Sequence, residues 1–393
     1  MDIHWHNSID QIDPVQWDSL AVPLETPLLE WQWLHFLEDS GSVAPANGWH
    51  PCHLTLWEGG RLQAAAPLYI KTHSEGEFVF DHWWAKLSDD YGVPYYPKLV
   101  GMSPLTPAVG YRFLIDEVLE PAVVIPKMMA AIDHLCRSME LSGFQINFVD
   151  PDWYARMFPP DLLLPWHHQS FLWKNQGLID FADYLKPFKS SQRRNIRREI
   201  RQMDRQGIEI RTLTGSQIRP DMAPLMFRYY LKTNAQYGPW AARYLNADFF
   251  EKIFEHMRHR LLLMAAYHPS SGTTPIALSM LLRKGAHLIG RYWGSAGHIK
   301  DLHFNMCFYA PIRWAIANGI QTIDPGAGSP HKIYRGFKAV ANTSLHRFYD
   351  PRLKVIFRRL IDDVNQMEHS TIRALNAQLP FAKKEAQSII RNA

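Results

Sequence analysis

The order of elements in the first half of this chain recurs in the second, and that recurrence constrains the fold more than any single motif. Pro51 to Trp57 is an expected strand, Glu58-Gly-Gly60 a turn, Leu62 to Lys71 a strand, and Ser74-Glu-Gly-Glu77 a turn. Phe78 to Phe80 follows as a third strand ending in Asp81-His-Trp-Trp84, and Tyr95 to Val100 as a fourth. A helical pattern then runs through Ile125, Met128, Ile132, Leu135 and Met139, with Gly143 as its stop, before the strand Phe144 to Val149 and Asp150-Pro151. In the second half Leu261 to Tyr267, Ile276 to Arg283 and Ala286 to Trp293 are strands separated by turns. A helix from about Leu302 to Asn318, bent at Pro311, stops at Gly319 and gives way to Ile320-Gln-Thr-Ile323 and Asp324-Pro325. Two tandem copies of one mixed α/β unit account for this order.

The last of these strands opens into Asp324-Pro-Gly-Ala-Gly-Ser-Pro-His-Lys-Ile-Tyr-Arg-Gly-Phe-Lys338. Glycines let backbone N–H groups approach a ligand, and Lys332, Arg335 and Lys338 supply charge for an anion, so the segment is a candidate anionic-substrate site. Its place at the end of a strand fits where α/β sheets bind ligands. Between the two copies lies a second basic segment, an expected helix over 190–206, with Ser190 or Ser191 as N-cap and Gly207 past its end. Ile196, Ile200 and Met203 share one stripe of it, while Arg194, Arg198, Arg201 and Arg205 share another, suited to a phosphate-bearing ligand or an RNA end. Earlier, Pro14 to Leu37 carries one or two amphipathic helices, and past Asp350 two more are expected, Leu353 to Met367 and Thr371 to Ile390. The expected domains are therefore 1–170, 171–350 and a helical tail over 351–393.

With 393 residues, 47% of them hydrophobic, the chain has material for large cores, and a net charge of +4 argues against a nucleic-acid coat and for local patches. Its 3 cysteines, Cys52, Cys136 and Cys307, are widely spaced and fit neither a disulfide framework nor a zinc knuckle. The 19 histidines show no ligand spacing, so no metal is expected. Lacking a signal-like start or an apolar run long enough to span a membrane, the sequence predicts a soluble cytoplasmic protein.

Asp81-His-Trp-Trp-Ala85, Tyr95-Tyr-Pro-Lys-Leu99, Pro104-Leu-Thr-Pro107, Arg193-Arg-Asn-Ile-Arg197, Arg291-Tyr-Trp-Gly294, Leu302-His-Phe304 and His331-Lys-Ile-Tyr-Arg-Gly-Phe337 together resemble the FemAB-like proteins of bacteria, a branch of the GNAT superfamily associated with peptidoglycan biosynthesis. The resemblance extends from about Asp81 to Phe348. It implies two tandem GNAT-like domains, each a mostly antiparallel meander with helices on both faces, and acyl transfer to an amine. The implied donor is an aminoacyl-tRNA and the implied acceptor a peptidoglycan precursor. One segment departs from the acetyltransferase pattern: Trp293-Gly-Ser-Ala-Gly-His-Ile-Lys-Asp-Leu-His303 has its glycines at the wrong spacing for a pyrophosphate loop, which counts against acetyl-CoA.

Direct transfer needs the acceptor amine deprotonated, the oxyanion stabilised and the substrates aligned, with no protein nucleophile. No G-x-S-x-G elbow or Cys–His pair is present. His303 and His331 are the candidate bases. Lys332, Arg335, Lys98 and Arg291 are candidates for binding carboxylate or phosphate, with Arg194 and Arg198 as further phosphate contacts. Asp81 and His82 occupy the first-copy position matching Arg291 and Tyr292, so these four are candidate substrate contacts. Two other readings stay open: an acyl-CoA-dependent N-acyltransferase acting on a small amine, and a non-catalytic module that binds a cell-wall precursor or RNA.

Overall fold

The computed structural model describes residues 1–157, 162–238, 241–328 and 330–382; Ser329 of the glycine-rich segment and the expected helix from residue 383 onward lie outside them. The chain forms two units, the first from Met1–Gln169 with Ala341–Ser370 and the second from Ser170–Val340 with Thr371–Ala393. Of the expected tail, residues 351–370 fall in the first unit and the described residues from 371 to 382 in the second. A single helix, Pro351–Ala377, replaces the two expected there; no glycine or proline interrupts it, so the polar stretch around Glu368 continues the helix.

In unit 1, the strands Asp2–His6, His53–Glu58, Arg61–Ala66 and Leu114–Ile115 pair antiparallel in that order. A second set runs from residues 345–348 through Gly143–Ile146, Lys98–Gly101 and Leu68–Lys71 to Trp49–Pro51. Its one parallel pair, Lys98–Gly101 with Gly143–Ile146, is bridged by the helix Pro121–Ser138. Gly143 therefore begins a strand. The left-handed residue after the helix is Glu140, at φ 53°. The expected strand Phe78 to Phe80 is absent as well: Phe78 and Phe80 are left-handed, at φ 59° and 54°, and Asp81 directly precedes the helix His82–Asp90. Two non-glycine residues with positive φ in three are costly, and the buried contacts of Glu77 and Asp81 described below hold them.

Unit 2 is built on the meander Glu209–Thr214, Leu261–Tyr267, Ala277–Lys284 and His287–Ser295, all antiparallel. Thr322–Asp324 then joins parallel to His287–Ser295, and Trp173 and Lys174 pair on its other edge. The crossover to that parallel strand is Leu302–Phe304, a π-helical turn Asn305–Tyr309 and the helix Ala310–Ala317. Leu262, Met264, Met306, Ile312, Ile323 and Phe337 are among the buried side chains of its core. Each unit thus contains a strand, helix and parallel strand beside antiparallel neighbours.

Candidate functional site

In unit 2 the strand Thr322–Asp324 delivers the glycine-rich turn. Asp324 Oδ1 accepts from the N–H of Gly326 at 2.8 Å. Gly326 sits at φ 75°, where an added Cβ would lie 2.8 Å from the carbonyl oxygen of Gly290. Lys332, only 3% exposed, folds back over the turn, its Nζ donating to the carbonyls of Gly326 at 2.5 Å and Ala327 at 3.0 Å. Burial lowers its ammonium pKa to about 8. The lysine fastens the turn from inside. Gly326→Ala is accordingly expected to cost about 1–2 kcal/mol from the left-handed backbone alone and to shift the turn; an unchanged urea midpoint would show that the turn tolerates a side chain.

Arg335 also points inward. At 4% exposure it pairs with Glu199 at 3.2 Å, donates to the carbonyl of His331 at 3.0 Å and lies 3.5 Å from the ring centre of Phe304. Glu199 collects further donors, from the Tyr309 hydroxyl and from Asn195 Nδ2 at 2.9 Å, while Asn305 Nδ2 donates to its backbone carbonyl at 3.0 Å. Both Asn305 and Tyr309 lie in the π-helical turn, a feature that recurs at functional sites. Sequence reasoning missed Glu199. The available signal was an acid on the apolar stripe of the helix Ser190–Arg205, between Ile196 and Met203.

His303 and His331 are brought together, their ring centroids 5.7 Å apart. Trp293 contacts His303 at 4.9 Å, and Phe304 and Phe308 contact His331 at 5.7 and 5.6 Å. Burial first, then the nearby positive charges of Arg335 and Lys332, lower the two imidazoles to about 3 for His303 and about 4 for His331. Both rings are neutral at pH 7. Arg291 Nη2 donates to the Tyr292 hydroxyl at 2.8 Å. Gly294, from the segment that departs from the acetyltransferase pattern, serves packing: a Cβ there would lie 2.3 Å from the carbonyl oxygen of Tyr229. Arg194 and Arg198 are exposed, and Arg198 donates to Asn195, which in turn donates to Glu199.

Unit 1 holds its own polar centre. Lys98, 2% exposed, reaches Asp81 at 2.5 Å, Glu77 at 2.9 Å and Ser74 at 2.9 Å, which uses all three of its N–H donors. Tyr95 donates to Asp81 at 2.9 Å and Gln145 to Glu77 at 2.7 Å. Burial opposes ionisation of Asp81, but the Lys98 ammonium and the hydrogen bonds outweigh it and hold its carboxyl below the usual range. Burial raises Glu77. Beside this centre Ser344 Oγ lies 2.8 Å from both His168 Nε2 and His346 Nε2, and burial lowers each of those rings to about 3. Asp81 and Lys98 are thus joined as an ion pair, whereas His82 is exposed. Among the described residues no group of three or more His, Cys, Asp or Glu could hold a metal, and no helix is long and apolar enough to cross a membrane.

The mixed α/β architecture is shared with known structures. It is similar to that of FemX, at a TM-score of 0.51 and 10% identity, covering 92% of this chain and 100% of that one. It is similar also to the C-terminal domain of an Agrobacterium fabrum protein described as a lysylphosphatidylglycerol synthetase, with a TM-score of 0.51 and 10% identity over 89% of this chain and 95% of that one. No curated protein matches the sequence. The model of the FemAB-like family, described as peptidoglycan biosynthesis/recognition, matches residues 8–383, and the chain belongs to that family.

Proposed function

We propose that this protein is a Fem-type transferase that carries an acyl or aminoacyl group directly onto an amine of a peptidoglycan-precursor-like acceptor, with His303, His331, Trp293 and Phe304 of unit 2 around the reacting atoms. The observation that carries this reading is the pair of half-buried, unprotonated imidazoles at 5.7 Å, set beside a glycine-rich turn in a chain matched by the FemAB-like family over residues 8–383. Attack on an ester requires the acceptor ammonium to lose a proton, and an imidazole can take one only while it carries none. Burial first, and then the charges of Arg335 and Lys332, keep His331 in that form. An anionic acceptor bound nearby would offset their field and raise the proton affinity of His331 toward the range useful for a base. Lys332 and Arg335 then act by shaping the turn and the field, since Lys332 donates to the carbonyls of Gly326 and Ala327, and Arg335 to Glu199 and the His331 carbonyl.

Aminoacyl-tRNA is the donor this reading favours over acyl-CoA, because Gly294 is occupied by packing against Tyr229 and the helix after the loop is only Leu302–Phe304 before it turns π-helical. That geometry gives a diphosphate only a single short α-helical turn to bind. The test is amide formation on a UDP-linked muropeptide with charged tRNA or acyl-CoA as donor, run beside thermal shifts with each ligand. Turnover with charged tRNA and a loss of at least about 100-fold in kcat on His331→Ala, on the scale of general-base catalysis, are expected. Turnover with acyl-CoA alone, or tight binding without turnover from any donor, would replace this reading.

A further inference from the structure

The helix Ser190–Arg205 divides its charge between two faces. At about 100° per residue, Arg194, Arg197, Arg198, Arg201 and Arg205 fall within an arc of roughly 100°, and Ile196, Glu199 and Met203 on the opposite side. All five arginines are exposed while Ile196, Glu199 and Met203 are buried. Among the described residues, Arg194, Arg197, Arg201 and Arg205 form no ion pair, and Arg198 donates only to Asn195 of its own helix. Asp204 is the one exposed acid on the helix. From Arg194 to Arg205 the row rises roughly 16 Å, and Lys189 adds an exposed cation just before the helix. Unpaired guanidinium groups in such a row repel one another, so a polyanion set against them is favoured by both contact and relief of repulsion.

We propose that this arginine face docks on the surface of an anionic lipid membrane. Its exposed arc consists of arginine, serine and aspartate, with no aromatic side chain to interleave with bases as faces that bind single-stranded nucleic acid do. Proteins that read duplex RNA through its grooves span about 16 base pairs, far beyond the length of this row. A lipid surface presents phosphates without register and requires only charge. The apolar stripe of the helix is committed to the core of unit 2, so the helix rests on the headgroups without inserting. Docking by charge alone also makes the attachment reversible by salt.

The test uses the full chain in co-sedimentation with vesicles of 1:1 phosphatidylglycerol and phosphatidylcholine, and with vesicles of phosphatidylcholine alone. Binding to the anionic vesicles only is expected, weakened in 0.5 M salt, which shortens the screening length to a few Å. Arg194→Glu with Arg198→Glu and Arg201→Glu is expected to lower partitioning by at least about 100-fold. The control Arg219→Glu with Arg228→Glu and Lys300→Glu changes net charge equally at other exposed sites of unit 2 and is expected to leave most binding intact. Thermal midpoints of both variants should match the parent. Equal losses in the two triple variants would reduce the effect to net charge and overturn the proposal. So would the absence of vesicle binding, including the case in which an RNA binds the parent and not the arginine variant, which would assign the face to RNA.

Discussion

Lys98→Met is expected to lower the stability of unit 1 by about 3–5 kcal/mol at pH 7, the usual cost of removing one partner of a buried ion pair, and to invert its dependence on pH. In the parent, Asp81 has a folded pKa held below its unfolded value, so its contribution is present above the unfolded value and is lost as pH falls through the folded one. Lys98 has a raised folded pKa, and its contribution is present below the unfolded lysine value and is lost only in strong alkali. Glu77, raised by burial, contributes below its unfolded value and loses that contribution as pH rises through the folded one. Removing the ammonium leaves Asp81 and Glu77, both 0% exposed, without the cation that touches them. Lys71 is the remaining lysine nearby; it donates to the Glu75 carbonyl and is held down to about 7 by burial, so it replaces little of the lost charge. Both carboxyl groups then gain protons on folding, and stability rises as pH falls toward 4. Urea midpoints between pH 4 and 8 measure this directly. A variant that still loses stability on acidification as the parent does would mean that Lys98 is not what keeps Asp81 ionised.

What could be read from the sequence was what neighbouring residues decide among themselves. Leu261–Tyr267 is an apolar run bounded by turn residues, and the structure forms that strand at the expected residues. The arginine helix followed from its stripe and from Gly207, which takes the left-handed conformation after it. Phe78-Val-Phe80 has the alternation of a strand, yet it is bent into two left-handed residues because Glu77 and Asp81 on either side must both reach Lys98. That requirement comes from 17 and 21 residues away, beyond any local pattern. The same limit hid Glu199, whose partner Arg335 is 136 residues distant. It also obscured which way Lys332 and Arg335 point: residue type announced cations on a glycine-rich turn, and tertiary contacts turned both inward, where they hold the turn together. Side chains with local roles were legible, and the buried polar pairs that fix the two centres were not.

Arg335→Met is expected to destabilise unit 2 by about 3–5 kcal/mol, and combining it with Glu199→Gln is expected to recover more than half of that loss. The single change leaves Glu199, 4% exposed, without the guanidinium at 3.2 Å. Tyr309 and Asn195 still donate to it, but two neutral donors compensate a buried charge poorly. The glutamine removes the charge and keeps an acceptor for Tyr309, which replaces a broken ion pair by a neutral hydrogen-bonded group of the same shape. The two substitutions are therefore strongly non-additive, with the double variant more stable than Arg335→Met alone. Transfer activity should part from stability in this pair. Arg335 contributes to keeping His331 unprotonated and its guanidinium stacks on Phe304, so the refolded double variant is expected to carry a raised His331 pKa while remaining folded. Titration of the His331 ring by NMR in the double variant reads that shift without requiring substrate. A double variant no more stable than the single would mean that Arg335 holds unit 2 through its contacts with Phe304 and the His331 carbonyl and not through the charge of Glu199.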